Sequence, residues 1–113
     1  MDALFTNVAK ALVEAGFFDT HHQREHARAA CASAGILFSE ETFVLLILYA
    51  RLIVLRREYD AGERIHTSEK IEYVYALLND AHAYMLKASP SIRSLMEAKL
   101  IEYEDLIAAA YVP

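Results

Sequence analysis

Residues 39–62 read Ser-Glu-Glu-Thr-Phe-Val-Leu-Leu-Ile-Leu-Tyr-Ala-Arg-Leu-Ile-Val-Leu-Arg-Arg-Glu-Tyr-Asp-Ala-Gly, and the class of the molecule follows from them. Ser39 ahead of Glu40 and Glu41 is a helix start: the hydroxyl can accept from an unsatisfied amide, and the carboxylates sit on the positive end of the helix dipole. Asp60, Ala61 and Gly62 supply the stop. Between these signals, Phe43 to Leu55 is an apolar run of 13 residues interrupted by one charge, Arg51. It falls short of the about 20 residues needed to cross a bilayer, so it is read as a helix buried in protein.

On a helical wheel Glu40, Arg51 and Glu58 share a narrow sector, flanked by Val44 and Ile47 with Val54 and Leu55 close by. Almost all of the remaining circumference is apolar. Such a helix is either the central pillar of a bundle or a core helix whose last face meets a partner. In the first case Arg51 reaches a carboxylate or water along its aliphatic stem. In the second it marks a wet edge, because a large apolar patch rarely stays exposed on a soluble monomer.

The sequence on either side supplies companions for this helix. Leu4, Phe5, Val8, Leu12 and Ala15 recur at spacings of three and four, predicting a first helix over about Ala3–Ala15 that Gly16 closes, with Phe17 and Phe18 anchoring the turn. A second opens at Thr20, whose partner three residues on, Gln23, makes a capping box. It runs to about Ser33 with Ala27, Ala29, Ala30, Cys31, Ala32 and Ala34 as a small-residue face, and Gly35 ends it. The fourth begins at Thr67 or Ser68 and runs to about Ala88 with Ile71, Val74, Leu78, Ala81 and Met85 in one stripe. Ser89 and Pro90 open a fifth, whose buried side is Ile92, Met96, Leu100, Tyr103, Ile107 and Ala110. Short connections and the absence of strand-like alternation give an all-α class: a compact antiparallel bundle of about five helices in one domain, residues 1–113, with the third helix central or interfacial.

Composition narrows the function classes. The chain has 113 residues, 56% of them hydrophobic, with three glycines, two prolines and one cysteine. At 12.8 kDa its folded surface should be ~6,300 Å² against ~18,600 Å² unfolded, enough burial for one core without disulfides or metals. A net charge of −5 has the wrong sign for tracking a phosphate backbone and favours a protein partner with a basic surface over nucleic acid. The N-terminal residues lack the basic and apolar regions of a secretory signal, so the cytoplasm is the expected compartment, away from membranes.

Candidate chemistry is sparse. His22, Gln23, Arg24, Glu25 and His26 spell H-x-x-E-H, which sets two imidazoles one turn apart around a potential base. A zinc enzyme also needs a third ligand, and Cys31 lies about 140° from His26 around a helix. A weak site formed by His21, His22 and His26 is the milder version. Glu63 and His66 give one E-x-x-H where a di-iron bundle needs two, and it falls in a turn. The Asp60–Glu72 connection fails as a calcium loop, because glycine stands third and Arg64 occupies a ligand position. Cys31, among alanines, reads as an inert buried thiol. Phosphate-cradling glycine motifs are missing. Arg51, Arg56, Arg57 and Arg64 interleave with Glu58, Asp60 and Glu63, as in a solvated, ion-paired helix end. The expectation is a non-enzymatic protein without cofactors or resident metal.

The positive signal is for a protein contact. Tyr73, Leu77 and Tyr84 recur on a side of the fourth helix away from its Ile71–Met85 stripe, and tyrosine offers a rigid area with a hydrogen-bonding tip. Tyr59, Tyr75 and Tyr103 could join the same region. The alternative is that these rings only rim the core. The expected contact residues are Arg51, Tyr73, Leu77 and Tyr84. The expected role is a small inhibitor, of the immunity or anti-defence kind, or a dedicated chaperone that masks a partner's surface. Alternatives are a homodimer or small subunit of a larger assembly, and, more remotely, a metal enzyme built on His22, Glu25 and His26.

Overall fold

The computed structural model describes residues 1–16 and 22–113. Five helices follow one another: α1 (Asp2–Glu14), α2 (Gln23–Ala34), α3 (Glu40–Asp60), α4 (Ser68–Met85) and α5 (Pro90–Ala110). The fold is an all-α, single-domain bundle. Its accessible surface, 6447 Å², is close to that expected for a compact chain of this mass.

α3 starts where the side chains dictate. The Ser39 hydroxyl accepts from the Thr42 amide at 3.2 Å, and the Thr42 hydroxyl accepts from the Ser39 amide at 2.8 Å, a reciprocal cap built with threonine in the usual glutamate position. Glu41, in the first turn, also accepts from the Ser89 amide at 2.8 Å, so the start of α3 helps fix the start of α5. The α4 start uses Thr67, whose hydroxyl accepts from Lys70. α5 opens on Ser89 and Pro90 as expected, with Pro90 in the first turn, where a missing N–H costs nothing.

Two expectations for α2 shift. α2 begins at Gln23 with His22 at its cap and no side-chain cap bond, while Thr20, like Phe17, Phe18 and His21, lies outside the described residues. The predicted alanine face is narrower than drawn: Ala27 and Cys31 are buried and Ala30 and Ala34 half-buried, but Ala29 and Ala32 face outward. Helical geometry allows only one stripe of a 12-residue helix to face its neighbours. The helix ends as foreseen: Gly35 is left-handed (φ 73°), letting the Ile36 amide return to the Cys31 carbonyl at 2.8 Å.

α3 contacts each of the other four helices and divides its circumference into stripes. Phe43, Leu45, Leu46, Tyr49 and Ala50 join α1, α2 and the beginning of α5 in one buried cluster. Leu48 and Leu55 join Val74, Leu78 and Ala81 of α4 and the later part of α5 in a second. α5 spans both with the stripe predicted for it, since Ile92, Met96, Leu100, Tyr103, Ile107 and Ala110 are all buried. The Tyr49 hydroxyl leaves this core to donate to Asp2 at 2.6 Å. The Lys99 ammonium stands 3.5 Å from the same carboxylate, tying α1, α3 and α5 at one node.

One closure has no signal in the sequence. Ile65, in the α3–α4 connection, donates its amide to Ala110 at 2.9 Å and accepts from Val112 at 2.9 Å. The result is an isolated parallel bridge between Ile65 and Tyr111 that clips the end of the chain to the loop.

Two predictions follow from this packing. Leu46→Ala, at a fully buried position, should lower unfolding free energy by about 2–5 kcal/mol in urea titration, the sum of lost burial and an unfilled cavity. The Tyr49 hydrogen bond, followed by Lys99, holds the Asp2 carboxyl below its ordinary value against opposing desolvation. A carboxylate with a depressed folded pKa stabilises above its unfolded pKa and loses that stabilisation as pH falls through the folded value. Tyr49→Phe should therefore show a shallower decline in melting temperature below about pH 4 than the parent chain.

Candidate functional site

The third stripe of α3 is the one the sequence singled out. Glu40, Val44, Ile47, Arg51, Val54 and Glu58 run along it, and from Val44 onward all are half-buried. Each charged member meets a partner from another helix. Glu40 accepts two bonds from the Arg24 guanidinium of α2, at 2.6 and 2.8 Å. Glu58 accepts from the Lys70 ammonium of α4 at 2.8 and 3.1 Å. Between them the Arg51 guanidinium lies over the Tyr73 ring, 4.8 Å from its centroid.

Arg51, Val54, Leu55, Glu58, Lys70, Tyr73, Val74 and Tyr103 line a recess of about 130 Å³ between α3, α4 and α5. The Tyr103 side chain is buried, and desolvation pushes its phenol up to about 12, with Arg51 opposing and Glu58 assisting. Desolvation likewise lowers Arg51 from its ordinary value, while Tyr103 and Glu58 favour its charged form. The guanidinium is held against an aromatic face, partly withdrawn from water, in a geometry set by three helices.

Of the four expected contact residues, the structure brings Arg51 and Tyr73 together directly. Leu77 is half-buried and packs against the α4–α5 cluster. Tyr84 is also half-buried but packs against the other cluster, nearer α2 and the start of α3. Burial raises its phenol pKa first, then Glu40 and Glu41, with Lys87 standing 5.4 Å from its ring. The four therefore follow the α3–α4 seam, with Tyr84 some 16 Å along the helix from Tyr73 at about 1.5 Å per residue.

The wider tyrosine set divides. Tyr103 joins the Arg51 recess, whereas Tyr59 lies under Arg64, 4.3 Å from the guanidinium carbon. Tyr75 turns to the opposite side, into a depression shared with Glu104 and Tyr111. Adjacent residues of a helix point about 100° apart, so Tyr73 and Tyr75 diverge by roughly 200° and could not share a face.

α3 places none of its large hydrophobic side chains among the exposed ones; those on α4, α5 and the residues just after them are Tyr73, Tyr75, Leu86, Ile101, Tyr111 and Val112. Most of the apolar surplus expected on α3 is taken up by its four neighbours, which leave Val44, Ile47 and Val54 half-buried along the third stripe. Open apolar side chains lie instead on α4, α5 and the residues just after them, with Met1, Leu4 and Leu37 the others among the described residues.

The remaining candidates stand apart. His22 meets Glu25 at 3.3 Å and lies edge-on to His26 with ring centroids 6.2 Å apart, all on an exposed helix start. Among the described residues, no group of three or more His, Cys, Asp or Glu side chains could hold a metal ion. Of the ion pairs the sequence implied at the end of α3, Arg56 meets Asp60 at 3.9 Å, whereas Arg57 turns to Glu14 of α1 at 2.7 Å and Glu58 to Lys70 of α4. No family model, curated protein or solved structure matches the chain.

Cys31 is fully buried and desolvation raises its thiol pKa. A thiol-reactive dye at pH 8 should leave the native chain unmodified over minutes and label one equivalent at once in denaturant, because only the exposed thiolate attacks.

Proposed function

We propose that the chain is a non-catalytic protein-binding module that docks through its α3–α4 face, as a small cytoplasmic inhibitor of the immunity or anti-defence kind or as a dedicated chaperone masking a partner's surface. The observation that carries this reading is the Arg51 guanidinium over the Tyr73 ring at 4.8 Å, in a half-buried seam that mixes charged and apolar side chains. Arginine and tyrosine are enriched among residues that dominate binding energy, especially where they are held rigidly and partly dehydrated before contact. The flanking pairs Arg24–Glu40 and Glu58–Lys70 fix the two ends of the seam. Val44, Ile47 and Leu77 then offer apolar area between them, the usual arrangement of a dry centre and charged rim. Among the described residues no helix is long and apolar enough to cross a membrane, in keeping with a partner met in aqueous solution.

The test uses the Arg51→Glu/Tyr73→Ala double variant beside the parent chain. Each is immobilised and exposed to lysate of the source organism, and bound proteins are quantified by mass spectrometry. The expected result is a protein enriched at least tenfold by the parent and lost with the variant, while far-UV dichroism and melting temperature stay within error. Equal capture by both chains would overturn the α3–α4 face as the docking surface. Collapse of the variant's melting transition would assign the pair to the core instead. If light scattering shows a parent dimer that the variant loses, the masked surface belongs to a second copy.

A further inference from the structure

The depression between α4 and α5 has a different chemistry from the Arg51 seam. It measures about 330 Å³ and is lined by Tyr75, Leu78, Glu104, Ile107, Ala108 and Tyr111, with no lysine or arginine among them. Leu78 and Ile107 are buried and form an apolar floor, while Tyr75 and Tyr111 stand 47% and 46% exposed on its walls. Glu104 is held in place by His82, whose Nε2 lies 2.9 Å from Oε1.

These two rings differ from the other tyrosines outside the core, Tyr103 being buried. Among the described residues, cations of this chain stand over Tyr49, Tyr59, Tyr73 and Tyr84, supplied by Lys99, Arg64, Arg51 with Lys70, and Lys87, but over neither Tyr75 nor Tyr111. The negative face of an aromatic ring attracts a cation, and a carboxylate beside two such faces adds to the attraction. The chain's charge of −5 works in the same direction at longer range.

We infer that the Tyr75–Glu104–Tyr111 cleft receives a lysine or arginine side chain from a basic segment of a protein partner. The methylene stem covers Leu78, Ile107 and Ala108, and the charged head reaches Glu104 between the two phenol rings. A free polyamine would meet the same carboxylate and rings. The exposed Ile101, one turn before Glu104 on α5, favours a polypeptide, because it extends the contact with an apolar side chain that a polyamine's charge does not suit. This cleft lies across α4 from the Arg51 seam and does not rest on the function proposed for that seam.

The probe is hexa-arginine peptide, with spermidine as the polyamine comparison, titrated into the ¹⁵N-labelled chain at low salt. Shifts should cluster at Tyr75, Leu78, Glu104, Ala108 and Tyr111. Tyr75→Leu and Glu104→Gln should each weaken the peptide at least fivefold. Glu63→Gln, which removes the same charge in the α3–α4 connection, should change it less than twofold. Tyr75→Leu keeps the apolar volume at an exposed position, so it remains decisive if loss of the His82 contact destabilises Glu104→Gln. Tyr73→Ala should leave peptide affinity unchanged, separating this cleft from the Arg51 seam. Equal losses from Glu63→Gln and Glu104→Gln, shifts scattered over the acidic surface, or spermidine binding as tightly as the peptide would each overturn the inference.

Discussion

Everything in this bundle answers to the need to enclose α3. A helix apolar over most of its circumference cannot rest on one sheet of neighbours, since a single packing partner covers only one stripe. Here α1 and α2 take one side, α4 takes another, and the long α5 runs beneath both buried clusters. The stripe that carries Glu40, Arg51 and Glu58 is left for the α2–α3–α4 seam, where polar groups can find partners. Arg24, Tyr73 and Lys70 satisfy them in turn along the helix.

Enclosing α3 has a consequence for α4 and α5. α4 and α5 each give one face to α3 and part of another to each other, and among the described residues no further element covers what is left. Tyr75, Leu86, Ile101, Tyr111 and Val112 consequently gather on them and the residues just after them, while the large hydrophobic side chains of α3 are buried or half-buried. Exposed large apolar side chains accordingly lie on the helices that protect the most apolar sequence rather than on that sequence itself. On α4 this produces two unlike faces. One carries Tyr73 beneath an arginine of the same chain, and the other carries Tyr75 beside a carboxylate.

The four candidate contacts show where pattern reading stops. Helical spacing put Tyr73, Leu77 and Tyr84 on one side of α4, and the structure keeps them along one seam, but spacing does not report depth. Leu77 and Tyr84 sink against different core clusters, whereas Tyr73 stays open. Tyr103 illustrates the converse: its place in the apolar stripe of α5 was clear, but its contribution to the Arg51 recess required the relative placement of α3 and α5. Tyr75 stands with Glu104 and Tyr111 rather than with Tyr73, an association encoded in no local spacing.

Helix number, most helix boundaries and the buried stripe of α5 were determined by the sequence alone, because caps, glycine stops and the 3.6-residue period act within a few positions of the chain. Tertiary structure alone decided which cation met which ring, which carboxylate held Ser89 or Lys70, and that the Ile65 backbone would clip Tyr111 and Val112. Those contacts join residues distant in sequence, and their selection depends on helix rotation and depth. Rotation and depth are set by the sum of many small packing energies, so no short motif announces them.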